Sequence, residues 1–443
     1  MNKSQSRRDF LRDTAALAAS GSLLSFWRGE TRTMADESKS PNARPRVGCI
    51  GLGGMGRGDA RAVRRYGDIL AVCDVDRKHA EQARADKNIG QDKAEVYEDY
   101  RKLLDRKDID VVTISTPDHW HTGIAIAALK SGKDVYCQKP LTLTIDEGKL
   151  LCKAVKETGR VLQVGTQQRS EYRNMFLTAV ALVREGRLGK VKRVTCAIGG
   201  EPPGGPFKKT LPPAHLNWDL WLGQAPKVEY MKERCHGTFR WWYEYSGGKI
   251  TDWGAHHVDI AQWAIGQEES GPRTIEIVKA KMPVPFEKGY PTVDDQYNTA
   301  LEFLVRCLFP GDIELIIRHD TENGVTFEGD KGKFFVSRDK LVGEPIDALK
   351  KNPLSDKVLI ALRKGKRLDS HMGNFIECCR DRSQPVSDVF SHHRALTTCH
   401  LANIALRLGR KLTWDAKSEQ IVGDAEANAM QRREQRKGYE IEG

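Results

Sequence analysis

Residues 46–76 read RVGCIGLGGMGRGDARAVRRYGDILAVCDVD, and this stretch decides the fold. An apolar run over 47–50 enters a turn carrying Gly51, Gly53, Met55 and Gly56; an alanine-containing helical segment follows, and a second apolar run over 69–73 ends on Asp74. The order is strand, helix, strand around a G-x-G-x-x-G fingerprint. Each glycine has its own task. The first makes the tight turn, the second lets the backbone approach a pyrophosphate, and the third lets the helix pack close to the strand. Free N–H groups at the helix start then face the phosphates. Asp74 stands 18 residues after Gly56, where a carboxylate accepts hydrogen bonds from ribose hydroxyls and repels a 2′-phosphate, so NAD is expected over NADP. The cations Arg77 and Lys78 weaken that preference.

Downstream the alternation continues. An apolar run over 110–114 ends in Ser115-Thr116-Pro117-Asp118-His119-Trp120-His121, a helix stops at Gly132, and a strand over 134–137 runs into Gln138-Lys139-Pro140. Thr144 and Glu147 have capping-box spacing and open a helix that Gly159 closes. Strands and helices alternating in this way predict a doubly wound parallel sheet, with ligands beyond the carboxyl ends of its strands. Both TPDHWH and QKP fall at such ends. Because proline disfavours helix in the residue before it, Lys139 is expected to project from a strand end.

The 443 residues and 39% hydrophobic content allow more than one core. Nothing approaches the ~18 apolar residues of a membrane span. The formal charge of +11 has no basic arm behind it; residues 1–34 hold six Lys/Arg against three Asp/Glu, which leaves about +8 spread over the remainder. Nucleic acid is therefore not an expected partner. Ten cysteines without a C-x-x-C pair read as reduced, small apolar residues.

The start, MNKSQSRRDFLRDTAALAASGSLLSFW, pairs Arg7 and Arg8 before Phe10 and Leu11 and resembles a twin-arginine export signal. This implies a periplasmic protein, or a cytoplasmic one if Met34 is the true start. Folded proteins use this route, so a cofactor could be loaded before export.

Beyond a long helix over 175–185 and a strand over 190–198, nine of the 36 residues from Trp218 to Trp253 are aromatic, against 7% in the whole chain. Such rings suit sugar faces and an ordinary core equally. In SGGKITDWGAHHVDIAQWAIG, residues 246–266, a helix from Asp252 to Ile265 would carry Asp252, His256, Asp259 and Trp263 on one face. An Asp four residues before a His can orient the imidazole and raise its basicity. A capped core histidine and an Asp/His metal pair are the competing readings. No third ligand or H-E-x-x-H is evident, and no metal site is expected. Segments 299–308, 313–319, 324–328 and 333–336 read as strands of a second sheet, followed by helical runs over 370–381, 391–408 and 423–436.

The glycine fingerprint, the T-P-x-x-x-H loop, the K-P dipeptide and D-x-x-x-H-x-x-D, in this order, resemble the Gfo/Idh/MocA family of glucose-fructose oxidoreductase, inositol dehydrogenase and rhizopine-catabolism proteins. The resemblance implies an α/β chain in four parts: a signal segment (1–34), a linker (35–45), a Rossmann domain (46–168) and a C-terminal α+β domain (169–443). The last would be built on a large open mixed or antiparallel sheet whose broad face makes a homo-oligomer. It implies that Thr116, Pro117, His121 and Gln138 join Gly51, Gly53, Met55, Gly56 and Asp74 around NAD, and that Lys139 touches both cofactor and substrate. It further implies that His256 is the acid-base residue supported by Asp252, and that Arg169, Trp253 and Asp259 lie near a small carbohydrate or polyol. An NAD-dependent dehydrogenase is the leading expectation; a redox-neutral sugar-processing enzyme with tightly bound NAD is the alternative. One departure stands out. The family usually has Glu before the lysine, and Gln138 removes a charge partner for Lys139.

Overall fold

Five apolar segments at regular spacing give the strands β1 (Arg46–Ile50), β2 (Asp68–Cys73), β4 (Val111–Ile114), β5 (Asp134–Cys137) and β6 (Leu162–Val164), with the short β3 (Glu95–Tyr97) at one edge. All pair in parallel in the order β3-β2-β1-β4-β5-β6. This is the doubly wound arrangement in which the chain reverses direction at β1 and opens a crevice beyond the strand ends. The structure is a computed structural model and describes residues 44–442. The expected export segment and the linker up to residue 43 lie outside the described residues.

The helices obey their local signals. Helix α1 (Gly54–Arg64) starts at Gly53 with no capping side chain and no acid in its first turn, which leaves its N–H groups for an anion. Helix α2 (Arg77–Ala85) is capped by Asp76, and α3 (Asp118–Lys130) follows TP. Helix α4 (Ile145–Thr158) begins as expected, with the Thr144 hydroxyl accepting from the Glu147 N–H at 3.3 Å, and ends on left-handed Gly159. The reciprocal half of the capping box is absent. The Glu147 carboxylate instead accepts from the Thr122 hydroxyl at 2.9 Å and the Leu143 N–H at 3.1 Å.

The second sheet has nine strands. Its principal members are β7 (Val191–Ala197), β8 (Thr274–Lys281), β9 (Glu302–Phe309), β10 (Ile313–Arg318), β11 (Gly324–Gly329) and β12 (Gly332–Val336), neighbouring in the order β12-β11-β7-β10-β9-β8. The pairing is antiparallel except between β7 and β10, so the sheet is mixed. Along β9, burial alternates at every residue: one face packs on helices, the other does not. Two predictions need correction. Residues 423–436 hold only a short helix, Ala425–Ala429, and the expected helix over 252–265 is two, α5 (Gly248–Asp252) and α6 (Gly254–Ala264), divided at Trp253. Helix α6 is buried along its whole length, packed against α7 (Val389–Leu408), which also contacts α4 of the first layer.

Candidate active site

A cleft of about 300 Å³ opens beyond the carboxyl ends of β1, β2, β4 and β5. Gly51, Gly53, Met55, Asp74, Thr116, Pro117, His121, Gln138 and Lys139 line it from the first layer, and Asp252, Arg240 and Ser246 from the second.

The glycines divide their work as the fingerprint requires. Gly51 is left-handed (φ +79°), and a Cβ there would stand 2.7 Å from the Ser115 and Thr116 backbone. At Gly56 a Cβ would stand 1.9 Å from the Gly51 carbonyl oxygen. Over Gly53 the nearest atom is 4.0 Å away, which is room for a phosphate. These positions predict separable effects. Gly56→Ala forces backbone against backbone and is expected to cost about 1–3 kcal/mol of stability along with NAD binding. Gly53→Ala should leave the melting temperature of the NAD-free chain unchanged and weaken NAD at least about tenfold, equivalent to about 1.4 kcal/mol. Thermal melts and NAD titration of both variants check this.

Asp74 closes one end of the cleft. Its carboxylate accepts from the Leu52 N–H at 2.7 Å and the Asp76 N–H at 2.8 Å, and His79 Nδ1 lies 3.5 Å away. Arg77 is largely exposed and reaches towards Glu81 at 4.0 Å, outside the cleft lining. His121 braces two loops, with Nδ1 2.7 Å from the Pro140 carbonyl and Nε2 2.9 Å from that of Thr116; burial pulls its pKa down to about 4. The Thr116 hydroxyl is buried without a hydrogen-bond partner among the described residues, as befits a group awaiting a ligand.

Gln138 has a physical reason for its identity. Its amide donates to both oxygens of the buried Asp59, at 3.0 and 2.9 Å, while the Ser115 hydroxyl donates to the same carboxyl at 2.7 Å. Burial pushes Asp59 up to about 6. A glutamate at 138 would set two carboxyls face to face.

The charge partner that Lys139 lacks at position 138 comes from the second layer. Its ammonium forms an ion pair with Asp252 Oδ1 and donates to the Asp252 carbonyl at 3.0 Å. Burial pushes the Asp252 carboxyl up; Lys139 and Arg240, the latter 3.8 Å away, more than reverse this and leave it below the usual range. The role expected for Asp252 is thereby corrected: its carboxylate holds Lys139 and not the imidazole of His256. The break at Trp253 separates the two residues onto different helices.

His256 lies close behind this pair, 4% exposed, and is not among the cleft-lining residues. Burial first, then the charges of Lys139 and Arg338, hold its pKa well below the ordinary value, so the ring is neutral at pH 7. Its Nδ1 has no hydrogen-bond partner among the described residues. Of the residues expected near substrate, Arg169 and Asp259 are spent on each other in a buried two-pronged ion pair (both contacts 2.7 Å), with Trp263 under the guanidinium at 4.8 Å. Trp253 packs against Arg338, 4.6 Å from the ring centroid. None of the three lines the cleft.

Two charged cleft residues, Asp118 and Arg240, carry no signal in the sequence. Asp118, inside TPDHWH, is buried, accepts from the Ser246 hydroxyl and is pushed up to about 7 by that burial. Arg240 sits among the aromatic residues whose rings drew attention away from it. Most of those rings form a core cluster around Trp242, Tyr245 and Tyr297, although Trp221 and Phe239 also reach the cleft.

Comparison with known proteins adds the following. The profile described as "Oxidoreductase family, NAD-binding Rossmann fold" (GFO_IDH_MocA) matches residues 45–166, and "Oxidoreductase family, C-terminal alpha/beta domain" matches 206–308 and 309–441. A glycosyl hydrolase family 109 protein of Solibacter usitatus is 39% identical over 152 residues, 32% of this chain and 34% of that protein. The scyllo-inositol 2-dehydrogenase (NAD(+)) of Bacillus subtilis is 28% identical over 262 residues, 58% of this chain and 64% of that protein. The first curated relatives are thus matched over less than half of their own length, 34% and 44%. Among solved structures, the WlbA dehydrogenase of Bordetella pertussis, in complex with NADH and UDP-GlcNAcA, shares the fold with a TM-score of 0.60 at 18% identity, over 84% of this chain and 99% of that one.

Proposed function

Since the chain belongs to the Gfo/Idh/MocA oxidoreductase family, we propose that it oxidises a hydroxyl carbon of a sugar or polyol, with NAD held in the cleft described above. The observation that carries this reading is the Lys139–Asp252 ion pair at the cleft wall, with the neutral His256 behind it, whose Nδ1 has no hydrogen-bond partner among the described residues.

Gly51, Gly53, Gly56, Asp74 and Thr116 fit the cofactor: backbone packed too closely for a Cβ, open space above the helix start, and an unsatisfied hydroxyl. Bound there, NAD supplies a hydride acceptor. Lys139 donates to the substrate oxygen and stabilises the negative charge that grows as the hydroxyl proton leaves. Asp252 keeps the ammonium in place. His256, neutral and buried just behind the cleft wall, is the imidazole to take up the departing proton, and reaching it requires a small movement of the ring or of Lys139. The Asp74 carboxylate and the outward-facing Arg77 support NAD over NADP. The SRRDFLR start supports export, and the uncovered face of the large sheet supports self-association.

The test is nicotinamide absorbance during turnover with a panel of sugars and polyols. NADH should form with at least one of them, and His256→Ala should lower the rate about 100-fold or more. An unchanged His256→Ala rate would remove that residue's role, and a complete absence of NADH would sink the dehydrogenase reading.

The identity to a glycosyl hydrolase family 109 protein favours a second reading, in which NAD is never released. Oxidising a hydroxyl to a ketone acidifies the neighbouring C–H, so the aglycone can leave by elimination, water can add to the resulting double bond, and the ketone can then be reduced again with no net redox change. Purified protein carrying NAD and releasing aglycone with no net NADH would decide for it.

A further inference from the structure

We propose that Asp76, His79 and His236 bind a divalent transition-metal ion, Zn²⁺ foremost, at the Asp74 end of the cleft. One ligand atom from each of the three lies within 4.8 Å of the others, and His236 Nε2 is 3.2 Å from Asp76 Oδ2. Tetrahedral Zn²⁺ with bonds of ~2.0–2.1 Å sets its ligand atoms roughly 3.3 Å apart, so one edge of the site is already formed. The two imidazoles, centroids 4.7 Å apart and partly exposed, can rotate to close the rest.

Three further observations point to a cation. Asp76 is 2% exposed, yet among the described residues no lysine or arginine pairs with it; its ionic neighbours are imidazoles alone. The ligands are themselves held. His79 Nδ1 faces the Asp74 carboxylate at 3.5 Å, and His215 Nδ1 lies 3.0 Å from the second oxygen of Asp76. A carboxylate behind a metal-bound histidine fixes its ring and raises its basicity. His236, finally, is held at φ +52°, a conformation that costs a non-glycine residue energy.

Two nitrogens and one carboxylate oxygen leave at least one position for water. The ion would fasten residue 236 to the turn after β2, next to the acid expected to read the ribose. Hydrogen bonds already join that turn to residues 215–217, and the imidazole of His236 reaches it at Asp76. His79 and His236 line the same cleft that NAD is proposed to occupy, but the test reads metal binding and not hydride transfer, so the two proposals can fail separately.

The experiment uses the untagged full chain. After chelator treatment and its removal, Zn²⁺ alone is titrated by calorimetry, and Co²⁺ is added as a spectroscopic probe. Expected are one ion per chain, a raised melting temperature and a visible Co²⁺ band. His79→Ala and His236→Ala should abolish all three, and His215→Ala should weaken binding about 10- to 100-fold. Neither histidine to be deleted lies in the core, and chelated variants melting with the chelated wild type show that folding is intact. Should either variant misfold, the His215→Ala titration decides alone. Absence of Zn²⁺ and Co²⁺ binding in the wild type, or binding unchanged in these variants, overturns the proposal.

Discussion

Lys139→Met lowers kcat between about 100-fold and 10,000-fold, the range for removing a positioned proton-handling group. Methionine keeps the length and apolar stem of lysine but deletes the ammonium that touches Asp252 at the cleft wall. Two effects then need separating, because the same substitution leaves the Asp252 carboxylate poorly compensated in a site where its side chain is 15% exposed. Stranding one member of a buried pair costs about 3–5 kcal/mol, although Arg240 at 3.8 Å and protonation of the acid both soften the loss. The double variant Lys139→Met/Asp252→Leu removes the stranded charge. It should recover melting temperature and remain inactive. Activity returning with stability would show that the pair only holds the two layers together.

Acid should unfold this protein steeply between pH 6.5 and 5. Six imidazoles, those of His119, His121, His256, His257, His371 and His400, are buried and held down by that burial, to about 3 for His119 and His400, about 4 for His121, His257 and His371, and well below the ordinary value for His256. In the unfolded chain each takes up its proton near ~6.5. Between that value and the folded one the unfolded chain binds more protons. The stability is therefore complete above about pH 6.5 and is lost as the pH falls through the folded values. Four buried carboxyls oppose this: Asp59, Asp118 and Glu201, raised to about 6, 7 and 8, and Glu147, also raised by burial, hold their protons more tightly in the folded chain and gain stability on acidification. Six against four, with the share of Glu147 set by how far burial shifts it, leaves a net loss of about 3–4 kcal/mol per pH unit, set against a total stability on the order of 5–15 kcal/mol. Urea midpoints at pH 7, 6 and 5 measure it; a flat series would contradict the burial of these rings.

The first layer was legible where a strand carries an apolar run, at 47–50, 69–73, 110–114 and 134–137, and a helix a start or stop signal, as at Thr144 and Gly159; the short β3 (Glu-Val-Tyr) and β6 (Leu-Gln-Val) give no such run and were not read. The second layer was read less completely. Strand β8, with mixed burial and four exposed residues at its end, gives neither alternation nor an apolar run, and it passed unnoticed. Helical periodicity placed Asp252 and His256 near one face as arithmetic, but the Asp252 carbonyl and carboxylate are taken by Lys139, a partner distant in the chain that periodicity cannot see. Asp259 and Arg169 share the lesson. Polar residues on an inward face read as substrate contacts, and only three-dimensional packing shows that they satisfy each other. Asp118 and the His79/His236 pair depend on segments far apart in the chain, a relation that spacing does not encode.

Gln138 and Asp59 constrain how this lineage can have changed. Restoring the glutamate usual at position 138 while Asp59 stays would oppose two buried acids, and replacing Asp59 first would strand the Gln138 amide and the Ser115 hydroxyl. Either order of single steps passes through a handicapped ancestor. The two positions are therefore locked like a ratchet, and relatives should be found with both residues exchanged or with neither.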